Sequence, residues 1–126
     1  MRIHESAENY LETILVLSQR KQFVRSIDIV NEMNFSKPSV SVAMKHLREA
    51  GHISMDAEGY ITLSESGLEI ANNIYERHQV LSALLLKLGV EQEVAKEEAC
   101  RIEHDISQDT FEKMKKWLKE NQIIDC

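Results

Sequence analysis

The sequence predicts a mainly α-helical protein that contains one small β-hairpin. Apolar residues make up 43% of the 126 residues, while glycine and proline number only 4 and 1, a composition typical of a helix-rich globular chain. Apolar positions recur every three to four residues over most of the chain, as on the buried face of a helix. The alternating pattern of a β-strand occurs in two short stretches within residues 52–63.

Two helices are predicted at the start of the chain. The first covers about residues 6–21, with Ser6 as its N-cap. Its apolar stripe consists of Tyr10, Leu11, Ile14, Leu15 and Leu17. The second covers residues 26–33, with Ser26 as its N-cap. Both are long enough to pack one apolar face against a neighbouring helix.

A third helix is predicted over residues 36–50. Ser36 is its N-cap, Pro38 fits the first turn, and Gly51 follows its last residue in the position that favours glycine. The hairpin of residues 52–63 comes directly after it. This order of elements predicts a winged helix-turn-helix, in which the second helix of the pair enters the major groove of DNA.

The rest of the chain is predicted to be all-helical. Ser64 caps a long linking helix of about residues 64–88, in which Gly67 has no reason visible from the sequence. Two further helices follow, at about 91–104 and 107–120, and residues 121–126 are expected to be loose. We therefore expect a DNA-binding domain in residues 1–63 and a helical domain in residues 64–126.

The third helix carries the candidate DNA-binding residues. They are Ser36, Lys37, Ser39, Ser41, Val42, Lys45, His46 and Arg48. The small residues and Val42 suit base edges and thymine methyl groups, while the later basic residues suit phosphates. Although the net charge is −6, residues 34–48 contain three basic residues and no acid. The alternative is a three-helix bundle with a solvated basic face, but the proline start, glycine stop and hairpin together favour DNA binding.

Three potential metal ligands lie close together in the fifth predicted helix. Cys100, Glu103 and His104 stand at positions i, i+3 and i+4, which places a thiol, a carboxylate and an imidazole on one helix face. His78 lies on the apolar face of the long helix, and Asn9 and Glu12 are three residues apart on the first helix. We predict that these six residues bind metal.

Each of these ligands also has an ordinary structural interpretation. A single buried histidine such as His78 is more often a hydrogen-bonded core residue, and a single cysteine such as Cys100 is more often a small apolar residue. Glu12 could pair with a surface cation, and the neutral amide of Asn9 makes it the weakest candidate. The cluster around residue 100 also suits a hydrolase or an oxygenase.

The sequence resembles the diphtheria-toxin-repressor type of metal-dependent transcriptional regulators. The resemblance covers nearly the whole chain and rests on residues 8–14, 37–41, 63–67, 77–78 and 98–104. It implies a homodimer that binds a palindromic operator in double-stranded DNA when Fe(II) or Mn(II) is bound, with one or two ions per subunit. It also implies repression of metal-uptake genes and a helical domain that dimerises. The length is similar to that of the manganese-regulator branch.

The ligand set combines features of two branches of that family. The iron branch has a cysteine at the position of Cys100, whereas the manganese branch has a glutamate at that position and another where Glu12 stands. A metal that links Glu12 to the ligands near residue 100 would fix the angle between the two domains and the spacing of two reading helices. The apolar positions expected at the dimer interface are Val94, Ile102, Ile106, Phe111 and Trp117.

Two alternative functions remain open at this point. One is a winged-helix regulator that senses oxidants through Cys100 without metal, and the other is a small metalloenzyme. No apolar run approaches the roughly 20 residues that a membrane span needs, and residues 1–5 contain no secretion signal. Two cysteines are too few for a disulfide framework, so we expect a cytoplasmic protein that does not contact a membrane.

Overall fold

The computed structural model describes residues 5–124, which form six helices and one two-stranded sheet. In chain order the elements are α1 (Glu5–Arg20), α2 (Ser26–Met33), α3 (Lys37–Glu49), β1 (Ile53–Met55), β2 (Ile61–Leu63), α4 (Glu65–Lys87), α5 (Gln92–Ile102) and α6 (Gln108–Glu120). The chain divides into two compact units within α4, where one ends at Asn73 and the other begins at Ile74. The mainly α prediction is confirmed.

The core of the first unit is formed by α1, α2, α3 and the hairpin. All five residues of the α1 apolar stripe are buried, as predicted. Val40, Met44 and Leu47 form the buried face of α3. Strands β1 and β2 are antiparallel, with Ile53 opposite Leu63, so the hairpin follows α3 directly as a wing.

The boundaries of α3 follow the predicted signals. The Ser36 side chain accepts a hydrogen bond from the Ser39 backbone N–H at 3.2 Å, which caps the helix start. After the helix, Gly51 has a φ of +81°, a left-handed conformation that glycine adopts without steric cost. These two residues fix where the third helix begins and where the chain turns into the hairpin.

The two N-caps predicted earlier in the chain are wrong. Helix α1 begins at Glu5, so Ser6 lies inside it, and Arg25 is the N-cap of α2 in place of Ser26. The Asp28 carboxylate accepts a hydrogen bond from the Arg25 backbone N–H at 2.8 Å. The Lys21 ammonium, which donates to Asp28 at 2.6 Å, lowers the pKa of that carboxyl below its ordinary value.

Gly67 permits a close backbone approach within the first unit. A Cβ atom at this position would collide with the carbonyl oxygen of His52. That oxygen also accepts a hydrogen bond from the Ser64 backbone N–H at 3.0 Å, and the Ser64 side chain accepts one from the Gly67 N–H at 3.2 Å. The structure therefore explains this glycine: it lets the first turn of α4 lie against the start of the hairpin.

The second unit contains the end of α4 together with α5 and α6. Phe111, Leu118 and Val80 form its buried cluster, and Phe111 is completely buried. The prediction that Phe111 lies at a dimer interface is therefore wrong, because this ring fills the core of its own unit. Residues 123 and 124 pack against the same cluster. The expected loose tail is wrong for residues 121–124, while residues 125–126 lie outside the described part of the chain.

Candidate functional site

Three side chains of the second unit form a compact group of potential metal ligands. Cys100, Glu103 and His104 each offer one ligand atom, and these atoms lie within 4.8 Å of one another. Helix α5 ends at Ile102, earlier than predicted, but Glu103 keeps helical backbone angles and its N–H donates to the Ala99 carbonyl at 3.0 Å. Cys100 and Glu103 therefore still lie on the same face, although Glu103 follows the last residue of the helix.

The carboxylate of Glu103 is at the centre of this group. It is completely buried, and its Oε2 lies 2.9 Å from Nδ1 of His78. Its Oε1 has no hydrogen-bond partner among residues 5–124 and lies 3.5 Å from Nε2 of His104, which is only 4% exposed.

A buried carboxylate oxygen without a partner is costly, because it has lost the hydrogen bonds that water would provide. A thiol, an imidazole and this oxygen together are ligands suited to a divalent first-row metal. The described residues therefore fit a metal ion at Cys100, Glu103 and His104, with His78 held against the same carboxylate. The assignment of ligands to individual residues stays a prediction.

Asn9 and Glu12 lie on α1, in the first unit. They are three residues apart, so their side chains lie on the same face of the helix, and both are half-buried. His78, Cys100, Glu103 and His104 come together within the second unit. Any role of Asn9 and Glu12 in metal binding also stays a prediction.

Arg77 was missed as a functional residue by sequence reasoning. It directly precedes His78 on α4 and is 7% exposed. Its guanidinium donates to the carbonyls of Glu103 and Ile106 at 3.0 and 2.7 Å and to Oε1 of Gln108 at 2.8 Å. Its sequence signals were its position next to His78 and its place in the segment 77–78 that carries the family resemblance. Its contacts could not be read from the sequence, because the carbonyls that it binds lie 26 and 29 residues further along the chain.

The candidate DNA-binding surface of α3 is fully accessible. All eight predicted residues, from Ser36 to Arg48, are exposed, while Val40, Met44 and Leu47 between them are buried. Val42 is 54% exposed, although valine is one of the residues most often buried in protein cores. The only acid of α3, Glu49, is its last residue and lies 4.0 Å from the Lys45 ammonium. The exposed face preceding it therefore carries only neutral and basic side chains.

The length and apolar character of the described helices can be compared with what a membrane span requires. Among residues 5–124, none of the helices is long and apolar enough to cross a membrane.

A winged helix-turn-helix with an accessible basic helix, followed by a helical unit in which a half-buried thiol lies beside a buried carboxylate and a buried imidazole, defines the class of metal-responsive transcription regulators. Two family models match the chain. The model described as "Iron dependent repressor, N-terminal DNA binding domain" matches residues 2–64, and that described as "Iron dependent repressor, metal binding and dimerisation domain" matches residues 64–123. The chain belongs to the iron-dependent repressor family, which consists of transcription regulators and not enzymes.

Individual proteins that are similar to this chain are also described as regulators. The chain is 29% identical over 117 residues to an HTH-type transcriptional regulator of Methanocaldococcus jannaschii, covering 91% of this chain and 94% of the relative. It is 32% identical over 108 residues to the transcriptional regulator MntR of Salmonella typhimurium, covering 86% and 69%. The solved structure of the manganese regulator SloR superimposes with a TM-score of 0.80 at 28% identity, covering 94% of this chain and 55% of that one. This chain thus spans just over half the length of that solved relative.

Proposed function

We propose that this protein is a metal-dependent repressor that binds a palindromic operator as a homodimer when Fe(II) or Mn(II) is bound. The observation that carries the proposal is the buried Oε1 of Glu103, which has no hydrogen-bond partner in residues 5–124 and lies beside the thiol of Cys100 and the imidazole of His104. We further propose that the regulated genes serve metal homeostasis and that the protein acts in the cytoplasm.

Cys100, Glu103 and His104 would hold the metal together with His78. A bound ion would place a positive charge beside the buried Glu103 carboxylate. His78 orients that carboxylate through the 2.9 Å contact between Nδ1 and Oε2. His104 is nearly fully buried, so its ring is held within the unit and excludes water from one side of the site.

Metal binding is proposed to link the DNA-binding domain, residues 1–63, to the helical domain, residues 64–126. The support is the pair Asn9 and Glu12, which places an amide and a carboxylate on one face of α1. A ligand set drawn from both domains would favour the arrangement of the reading helices that matches the two operator half-sites. We propose one ion or two per subunit, since six candidate ligands can fill one octahedral site or be shared between two ions.

Operator recognition is assigned to the exposed face of α3. Ser39, Ser41 and Val42 are small enough to approach base edges, while Lys45 and Arg48 lie further along the helix and suit phosphates. Dimerisation is assigned to exposed apolar residues of the second unit. Val94 is 40% exposed and Trp117 is 56% exposed, which favours their burial against a second copy.

The metal preference is proposed to depend on Cys100. A thiolate favours later and softer metals, whereas Mn(II) is the weakest binder of the divalent series and prefers oxygen ligands. Fe(II) should therefore activate at least as well as Mn(II), and replacing Cys100 by glutamate should shift the preference toward Mn(II). Because the thiol must lose its proton to bind, activation should also weaken as the pH falls.

Operator affinity measured anaerobically against free Fe(II) and Mn(II) tests this proposal. Wild-type protein and Cys100→Glu are compared, with Cys126→Ser as the control that removes the chain's other thiol. Equal operator affinity with and without every divalent metal would refute metal dependence. A wild-type response to Mn(II) alone, unchanged in Cys100→Glu, would instead refute the role of Cys100. Operator release on oxidation of metal-free protein would favour the thiol-sensing alternative.

A further inference from the structure

We infer that Arg77 is a positioning residue that holds the turn carrying Glu103 and His104 in the conformation required for metal binding. The inference rests on the proposed function, because it concerns the same metal site. It adds a residue that is not itself a metal ligand and that acts through the backbone of the ligand-bearing turn.

The turn between α5 and α6 depends on contacts from outside itself. Helix α5 ends at Ile102 and α6 begins at Gln108, so Glu103 and His104 lie between the two helices. Within the turn, the Glu103 N–H donates to Ala99 and the Asp105 N–H donates to Ile102. These two bonds fix its start, but they do not connect it to α4, where His78 lies.

Arg77 provides that connection. One guanidinium nitrogen, Nη1, donates to the carbonyls of both Glu103 and Ile106, and Nη2 donates to the side chain of Gln108 at the start of α6. The two ends of the turn and the first residue of the next helix are thus bound to a single side chain. His78, the next residue of α4, contacts the carboxylate of Glu103, so adjacent residues hold its backbone and its side chain.

The burial of Arg77 is better explained by this role than by stability alone. A buried guanidinium loses its hydration, and its Nε has no hydrogen-bond partner among residues 5–124. Its guanidinium carbon, Cζ, lies 5.4 Å from the centre of the Phe111 ring, a contact that stabilises the cation only in part. A lysine carries the same charge, but its single nitrogen cannot reproduce the planar fork that reaches the turn and Gln108 together.

The test compares Arg77→Lys and Gln108→Ala with the wild-type full chain. Co(II) titration, followed by the thiolate-to-metal and d–d absorption bands, reports both the affinity and the coordination geometry. Groups that orient metal ligands typically contribute 10–100-fold to affinity, so Arg77→Lys should weaken Co(II) binding by about that factor and alter the d–d bands. Gln108→Ala removes one of three acceptors at an exposed position and should have a smaller effect in the same direction.

A second measurement needs no metal. In the metal-free protein, the amide of Asp105 should exchange with solvent at least about tenfold faster in Arg77→Lys than in the wild type, because the turn opens more often. The matched control is Val80→Ala, which removes buried apolar volume one turn further along α4 and leaves all three hydrogen bonds of Arg77 in place. This variant should lose stability yet keep the Co(II) affinity, the absorption bands and the exchange rate of Asp105.

The outcomes separate the inference from the proposed function. Wild-type protein that binds no Co(II), Mn(II) or Fe(II) would overturn both. Wild-type binding with an unchanged affinity and spectrum in Arg77→Lys would overturn only the role of Arg77. The same holds if Val80→Ala reduces Co(II) affinity as much as Arg77→Lys does, since Arg77 would then act only through general stability.

Discussion

Replacing Glu103 by glutamine should affect stability and metal response in opposite directions. Glutamine has nearly the same shape as glutamate, so the change removes the charge without leaving a cavity. In the metal-free protein the carboxylate is completely buried and one of its oxygens has no hydrogen-bond partner among residues 5–124. The charge is therefore a burden on the folded state until a cation is bound.

The magnitudes follow from the contacts of the two carboxylate oxygens. A buried polar group without a partner costs about 1–3 kcal/mol, so removing the charge at Oε1 recovers part of this amount. At Oε2 the hydrogen bond with His78 becomes a neutral one, which loses about 1 kcal/mol. We expect metal-free Glu103→Gln to be as stable as the wild type, or more stable by up to about 2 kcal/mol.

Metal should reverse the order of stability. At a free metal concentration 100 times the dissociation constant, binding stabilises the wild type by about 2.7 kcal/mol. If loss of the Glu103 charge weakens binding about 100-fold, the same metal concentration stabilises the variant by only about 0.4 kcal/mol. The measurement is urea unfolding of both proteins with and without Mn(II) or Co(II), together with operator binding.

The control for this experiment is Glu98→Gln, the same chemical change at an exposed position of α5. This variant should match the wild type with and without metal. Two results would refute the reasoning. One is a metal-free Glu103→Gln that is more than about 1 kcal/mol less stable than the wild type, because the charge would then stabilise the fold. The other is a Glu103→Gln variant that binds operator at wild-type metal concentrations.

Three further predictions concern the first unit. Lys45→Ala and Arg48→Ala should each weaken binding to all DNA sequences alike and reduce the slope of log affinity against log salt concentration by about one. A variant with a changed sequence preference and an unchanged slope would contradict phosphate contact. Asp28→Asn should lower stability by about 0.5 kcal/mol at pH 7. The difference should begin to shrink as the pH falls below about 4 and disappear only below the lowered pKa of the folded state, because the stabilisation is lost as this carboxyl is protonated in the folded protein; urea unfolding at pH 7 and at a series of lower pH values measures this. Gly67→Ala should lower the free energy of unfolding by about 2 kcal/mol or more, because the added Cβ would collide with the His52 carbonyl. A variant that is more stable in urea unfolding would show that the backbone can move to accommodate the Cβ.

Features that depend on a few neighbouring residues were predicted well from the sequence. Ser36 and Gly51 act through bonds and dihedral angles within one turn, so the residue types are sufficient to place the ends of α3. The ligand spacing at Cys100 and Glu103 is of the same kind. It survives the early end of α5 because Glu103 still has helical backbone angles.

Features that depend on distant parts of the chain could not be read in this way. Phe111 has the pattern of a surface apolar residue of α6, but the end of α4 covers it. The wrong N-cap of α2 has a nearer cause, because the Arg25 N–H donates to Asp28, three residues further on, and Lys21 pairs with the same carboxylate. In both cases a contact between side chains and backbone decides the outcome, and no single-residue preference contains that information.

The proposed metal site depends both on local spacing and on contacts between distant residues. Its proposed metal response would follow from an energetically unfavourable arrangement of the metal-free protein. The local spacing brings the thiol, the carboxylate and the imidazole together, while α4 contributes a buried arginine and a histidine that hold Glu103 in place. Without a cation, one oxygen of the buried carboxylate has no hydrogen-bond partner within residues 5–124, which opposes folding of this site. A metal can shift a protein between states only through its differential affinity for them. The cost at Glu103 supplies such a difference, because a state that keeps this carboxylate buried relieves the cost when the ligands are assembled around a positive charge.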